Sequence, residues 1–219
     1  MKTNLPSLTI LVGNIGSGKS TVLPLVAKAL GAVEVQADEL FQTTNPFKEV
    51  YLEDQVRWSL ANELWLTKER VKIMRQAIAE HPHQPLVVDS GLLMSWVYTY
   101  AHFTSGDITR SEWELYQEIF EMITTGLIAQ MQVIFLNFPV EILLKRIKQR
   151  GRDYELEFYD VAYLKKINKG LEALLKKLKN QKVKVLELNQ SNVGDVVRNH
   201  KSKLELDTLI RSYFKKGVY

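Results

Sequence analysis

Short apolar runs rich in β-branched residues alternate along this chain with long segments whose apolar residues recur at helical spacing, the pattern of a parallel sheet wrapped by helices. Runs at 8–12, 32–37, 86–89, 132–137 and 183–188 predict five strands, each too short and too well bounded to be a buried helix. Between them, Asn45-Pro46 reads as an N-cap followed by proline at the first helical position. That helix is expected to run to about Glu80, where His81-Pro82 stops it. Thr109-Arg110-Ser111-Glu112 reads as a capping box, hydroxyl and carboxylate each serving an exposed N–H. Pro139 opens a further helix, carrying Arg146 and Arg150. Pro24 is expected to kink the first helix, and the tail over 191–219 reads as a helix packed on the sheet. With no internal repeat, low-complexity tract or linker, a single α/β domain over 1–219 is expected.

Chemistry enters at Gly13-Asn14-Ile15-Gly16-Ser17-Gly18-Lys19-Ser20, between the first strand and a helix-forming segment that continues with Thr21. Glycines there let successive backbone N–H groups turn inward around phosphate oxygens, and the following helix points its positive end at them. Lys19 would reach the terminal phosphates and Ser20 would ligate Mg²⁺. The loop implies a nucleoside triphosphate and leaves the acceptor open.

Composition narrows the remaining classes. At 219 residues, 46% hydrophobic and 25% charged, the chain is long enough to bury a sizeable core. Zero cysteines exclude disulfides, thiolate metal sites and cysteine nucleophiles. The four histidines lack zinc-ligand spacing and read as structural or solvated. No apolar run has bilayer-spanning length, and Met1-Lys2-Thr3-Asn4 lacks a signal peptide's hydrophobic stretch, so a cytoplasmic protein without a membrane partner is expected. The net charge of +4 is mild, and basic pairs such as Lys176-Lys177 read as solvated faces rather than a nucleic-acid surface.

Further candidates fall at strand ends, where open α/β folds bind ligands. Asp89 closes the third strand and could hold Mg²⁺ opposite Ser20. Asp38 and Glu39 follow the second strand; either could take the proton of an acceptor hydroxyl, and Asp38 is favoured. Arg146 and Arg150 lie one helical turn apart, and Gly151 frees Arg152 to swing independently. Over a phosphate loop they read as an arginine-rich lid at about 146–158. Tyr51, Trp58, Trp65, Trp96, Phe103 and Trp113 could line a slot for a flat ring, although most are more simply packing. Glu63 and Arg70 share a helix face, by default as a surface ion pair and more sharply as a pair that reads a base.

Several motifs in this order resemble the deoxyribonucleoside kinases: the phosphate loop, Asn45-Pro46-Phe47, Arg57-Trp58-Ser59, Trp113-Glu114-Leu115-Tyr116-Gln117-Glu118 and Arg150-Gly151-Arg152-Asp153-Tyr154-Glu155. The resemblance runs to about Leu175. It implies a P-loop NTPase fold with a five-stranded parallel sheet, a homodimer, and transfer of the γ-phosphate of ATP to a deoxynucleoside 5′-hydroxyl. It also implies a general base at Asp38 or Glu39, Mg²⁺ service by Asp89, phosphate and adenine contacts from Arg146, Arg150 and Arg152, and Glu155 near the sugar. Tyr51 would contact the sugar, Glu63 the base, and Arg70 would act two turns beyond Glu63. Three departures stand out: Asp89-Ser90-Gly91 lacks the family's bracing arginine, Ser95 stands where an aspartate is expected, and Glu63 replaces a frequent glutamine. An ionised Glu63 accepts hydrogen bonds without donating, which suits guanine's N1–H and amino group. The alternatives are a kinase for another small alcohol or a nucleic-acid 5′ end, and a nucleotide-binding regulator without acceptor turnover. A GTPase is disfavoured, because no Asn-Lys-x-Asp-like guanine reader occurs.

Overall fold

All five apolar runs become strands of one parallel sheet, in the order β2-β3-β1-β4-β5. The computed structural model describes residues 6–37, 44–127, 130–193 and 199–215. In chain order the elements are β1 (Leu8–Gly13), α1 (Lys19–Leu30), β2 (Val33–Gln36), α2 (Lys48–Glu53), α3 (Gln55–Glu80), β3 (Leu86–Asp89) and α4 (Gly91–Ser105). There follow α5 (Arg110–Thr124), β4 (Met131–Asn137), α6 (Val140–Arg150), α7 (Asp153–Phe158), α8 (Val161–Asn180), β5 (Lys184–Asn189) and α9 (His200–Lys215).

Every residue of β1 is buried, which is why the strand reads as a continuous apolar run rather than an alternating one. Side chains still alternate between faces. Leu8, Ile10 and Val12 enter a core with Met74 of α3, Trp96 of α4, Tyr116 of α5 and Leu171 of α8. Leu11 enters the opposite core with Val22 of α1, Leu143 of α6 and Ile210 of α9. On the first face α4 and α8 cross closely at Gly170, where a Cβ would lie 2.9 Å from the Val97 carbonyl oxygen. The β1–β3 register sets Leu11 opposite Asp89, so the phosphate loop and the third-strand carboxylate leave the sheet at one edge.

The reading of the long second helix is corrected. The helix predicted from Pro46 to Glu80 is two helices, because Asp54 leaves helical geometry (φ −145°, ψ 87°) and caps α3 by accepting from the Arg57 N–H at 3.0 Å. Asn45 is not the N-cap: its side-chain oxygen accepts from the Phe47 N–H at 3.0 Å, making a turn ahead of α2. Pro24 lies inside α1, which spans Lys19 to Leu30, and, lacking an N–H, forfeits the bond to the Ser20 carbonyl.

The capping box forms as read, Thr109 Oγ1 accepting from the Glu112 N–H and Glu112 Oε2 from the Thr109 N–H at 2.8 Å. The C-terminal helix packs chiefly on α1 rather than flat on the sheet, burying Leu206, Ile210 and Phe214, while the Tyr213 hydroxyl donates to the Val185 carbonyl of β5. Among the described residues no helix is long and apolar enough to cross a membrane.

Candidate active site

Gly13 ends β1, and the next five residues turn into α1. Gly16 and Gly18 carry that turn at φ +76° and +96°, values that side-chain-bearing residues rarely adopt. Gly18 occupies the N-cap position with no side-chain cap, leaving the amides of the first turn of α1 to an anion. Lys19 is buried and arches back over the loop, its Nζ donating to the carbonyls of Gly13 at 3.1 Å and Asn14 at 3.4 Å. The Asn14 side chain braces the loop from behind. Its Nδ2 donates to Leu164 O at 2.8 Å and Asn168 Oδ1 at 2.7 Å on α8, and its Oδ1 accepts from the Ile15 N–H.

Ser20 and Asp89 meet as the sequence suggested: Ser20 Oγ donates to Asp89 Oδ2 at 2.9 Å. A hydroxyl and a carboxylate at the mouth of a phosphate loop form an all-oxygen donor set suited to Mg²⁺, which takes one or two protein ligands and completes its shell with phosphates and water. Accordingly, no group of three or more acidic, His or Cys residues that could hold a metal occurs among the described residues. Ser90 orients the other oxygen, Oγ to Asp89 Oδ1 at 3.1 Å, from a backbone at φ +61°. A non-glycine residue held there beside the carboxylate is backbone strain stored at the site.

The arginines divide their work. Arg146 reaches the loop, Nη1 donating to the carbonyls of Ser17 at 3.1 Å and Gly16 at 3.4 Å, with its guanidinium 4.3 Å from the Phe138 ring centroid. Arg150 and Arg152 instead engage the buried Glu155, by Nε to Oε2 at 2.8 Å and Nη1 to Oε1 at 3.4 Å. Gly151, at φ +67°, ends α6 and makes the swing that sets Arg152 against the same carboxylate.

A cavity of about 1120 Å³ runs from the phosphate loop past Asp89, Arg146, Arg150 and Arg152 to Tyr51, Glu63 and Arg70, more than one nucleotide requires. Glu63 and Arg70 are not a surface ion pair. They are 3% and 4% exposed and take separate partners: Asn62 Nδ2 donates to Glu63 Oε1 at 2.9 Å, and Arg70 Nη1 donates to Ser95 Oγ at 2.7 Å. Ser95 thus receives an arginine, as an aspartate would, without the charge. Glu63 Oε2 and Arg70 Nε make no hydrogen bond. Burial raises the Glu63 carboxyl above its ordinary range, against the opposing effects of His102, Arg70 and the Asn62 hydrogen bond.

Tyr51 lines this cavity, but none of the other five aromatics read as a possible slot does. Trp96, Phe103 and Trp113 stack with Tyr100 and Tyr116 in the core, while Tyr98, Phe158 and Tyr159 line the cavity. Sequence reasoning missed His102, which is buried with Nε2 3.0 Å from the Tyr51 hydroxyl and Nδ1 2.9 Å from Asp107 Oδ2. Asp38 and Glu39 lie outside the described residues. The strand leading to them ends at Gln36, which is in register with Asp89 and lines the cavity.

The deoxynucleoside kinase family model matches residues 10–211. The deoxyadenosine/deoxycytidine kinase of Bacillus subtilis (strain 168) is 28% identical over 157 residues, covering 69% of either chain. The deoxyguanosine kinase of Dictyostelium discoideum is 23% identical over 195 residues, covering 88% of this chain and 67% of its own. A solved deoxyadenosine kinase from M. mycoides with bound dATP superposes with a TM-score of 0.70 at 21% identity, over 92% of this chain and 97% of that one. A match from the middle of β1 into α9, on a five-stranded parallel sheet with a phosphate loop, places this chain in the deoxynucleoside kinase family.

Proposed function

We propose that this protein transfers the γ-phosphate of ATP to the 5′-hydroxyl of a deoxyribonucleoside, with Mg²⁺ and a preference for purines bearing N–H donors. The observation that carries the reading is the single cavity joining the phosphate loop and the Ser20–Asp89 pair to the buried Glu63 and Arg70. Lys19 and the loop amides hold the phosphates. Ser20 and Asp89 hold the metal, which when bound neutralises phosphate charge. Arg146 already lies against the loop and stabilises negative charge on the transferred group. Arg150, Arg152 and Glu155 form a charged hinge that keeps the lid over the sugar end of the cavity. A carboxylate after β2, Asp38 in our reading, accepts the proton of the attacking hydroxyl. Catalysis on these parts is positioning and electrostatics.

Base choice rests on Glu63. Its unpartnered Oε2 accepts N–H donors, and Arg70 supplies a donor from the same helix, which fits a guanine-type edge carrying N1–H, an amino group and a carbonyl. We further propose one catalytic domain acting as a cytoplasmic homodimer. The exposed Val56, Leu115 and Met122 on the neighbouring helices α3 and α5 supply apolar surface for self-association, which sedimentation would test.

The deciding experiment is Mg²⁺-ATP consumption by the purified protein with four deoxynucleosides, ribonucleosides and a 5′-hydroxyl oligonucleotide, each product identified by mass. The expected product is a purine deoxynucleoside 5′-monophosphate, with turnover lost and the fold kept in Lys19→Ala. ATP binding without a nucleoside product refutes the proposal.

A further inference from the structure

At the cavity wall, Tyr51 of α2 and His102 of α4 head a polar chain that continues inward through Ser59 of α3, Ser105 of α4, Asp107 after α4 and Lys166 of α8. Asp107 Oδ2 collects three donors: Ser105 Oγ at 2.7 Å, His102 Nδ1 at 2.9 Å and Lys166 Nζ at 3.2 Å. These hold the Asp107 carboxyl well below the usual carboxylate range, the His102 hydrogen bond contributing most.

An ionised carboxylate only accepts, so Nδ1 of His102 must carry a proton; the opposite neutral tautomer would set a ring lone pair 2.9 Å from a carboxylate oxygen. Ser59 Oγ, 3.2 Å from the same nitrogen, can then only share that proton. The remaining question is whether Nε2 is also protonated. Lys166 already answers the charge of Asp107; Glu63 lies within electrostatic reach of both His102 and Arg70, but burial favours its protonated form, so it calls for no second cation. A cationic His102, itself 4% exposed, would therefore be a buried charge in surplus. Neutral His102 leaves an Nε2 lone pair facing the Tyr51 hydroxyl at 3.0 Å, and the phenol must donate to it.

We propose that His102, locked by Asp107 in the Nδ1–H form, is a positioning residue whose Nε2 accepts the hydrogen bond of the Tyr51 hydroxyl, so that the Tyr51 oxygen faces the cavity as a hydrogen-bond acceptor. An acceptor there selects a ligand that offers a hydroxyl donor. On the nucleoside-kinase reading, from which the ligand's identity is taken, that donor is a sugar hydroxyl other than the one phosphorylated. The polarity of Tyr51 is thus set by its neighbour in the cavity wall, and that neighbour by Asp107 behind it.

The first test needs no activity: ¹⁵N–¹H correlation of the histidine ring nitrogens in the ligand-free, unsubstituted protein. The expected His102 pattern is a protonated Nδ1 and a bare Nε2. An Nε2–H tautomer or an imidazolium overturns the proposal, because either would make the phenol a donor into the cavity. The second test is kinetic, comparing kcat/KM for a 2′-deoxynucleoside and its 2′,3′-dideoxy counterpart. Tyr51→Phe, His102→Leu and Asp107→Ala should each shrink that ratio by roughly tenfold, the worth of one buried hydrogen bond, with KM for ATP unchanged. The Tyr51→Phe/His102→Leu double variant should add little further. A His102→Leu or Asp107→Ala protein that keeps the unsubstituted ratio while Tyr51→Phe loses it overturns the proposal. If no nucleoside is phosphorylated the kinase reading fails, and the ring-nitrogen spectrum still decides the tautomer.

Discussion

Replacing Glu63 by glutamine changes one oxygen for an NH₂ group in a site that is 3% exposed, so its effects on selectivity and on stability can both be worked out. Oε1 already accepts from Asn62, and glutamine retains that bond through its carbonyl. What changes is the second position, where an acceptor with no partner becomes a donor. A hydrogen bond to a charged group is worth about 1.5–3 kcal/mol, so losing it lowers kcat/KM for deoxyguanosine by about 10- to 100-fold. Deoxyadenosine, whose N1 accepts and whose amino group donates, should gain relative to it, inverting the preference. Stability follows from the raised carboxyl. The folded state holds the Glu63 proton over a pH range in which the unfolded chain has released it. This contribution is fully present below the ordinary value of 4.5 and is lost as pH rises through the folded-state pKa. Glutamine has no proton to lose there, so the variant should be more stable than the parent at pH 8 by about 1–3 kcal/mol and gain little at pH 4.5. Coupled-assay kinetics with both nucleosides and urea unfolding at the two pH values measure these effects. An unchanged deoxyguanosine-to-deoxyadenosine ratio removes Glu63 from base recognition, and a variant less stable at pH 8 refutes the account of its buried charge.

Other parts of the site yield separate outcomes. Asp89→Asn, which removes the charge facing Ser20, should raise the Mg²⁺ concentration for half-maximal turnover by at least about tenfold in a metal titration, with the melting temperature little changed. Asp38→Asn should lower kcat by about 10²–10⁴-fold while ATP binding measured by calorimetry holds; the same loss confined to Glu39→Gln moves the base role to Glu39. Gly170→Ala sets a methyl 2.9 Å from the Val97 carbonyl oxygen and should destabilise the fold by about 1–3 kcal/mol in urea, and an unchanged midpoint would contradict the tight α4–α8 crossing.

Local signals in the sequence account for much of the architecture. The three central strands were legible because β1, β3 and most of β4 are buried and therefore appear as apolar runs between turn residues, while the edge strands β2 and β5 were marked by β-branched residues instead. The phosphate loop was legible because its chemistry lies in eight consecutive residues, and the Thr109–Glu112 box because its partners are three residues apart. Asn45 misled, and Asp54 went unnoticed, for the same local reason: both types bond nearby N–H groups, and the sequence does not say which of them turns the chain and which starts the helix.

The sequence by itself determined the alternation of strands and helices, the phosphate loop and the strand-end carboxylate that faces Ser20, since each follows from periodicity or contiguous residues. Only the tertiary structure decided that Glu63 and Arg70 are interior, that Glu155 gathers two lid arginines, and that Tyr51, His102, Asp107 and Lys166 form one chain. The helix that displays Glu63 and Arg70 on one face has no internal record of what covers that face. His102 acquires its partners from α2, α3 and the turn after α4, with Lys166 of α8 reaching the same Asp107, and burial then turns ordinary polar side chains into groups whose protons have assigned places.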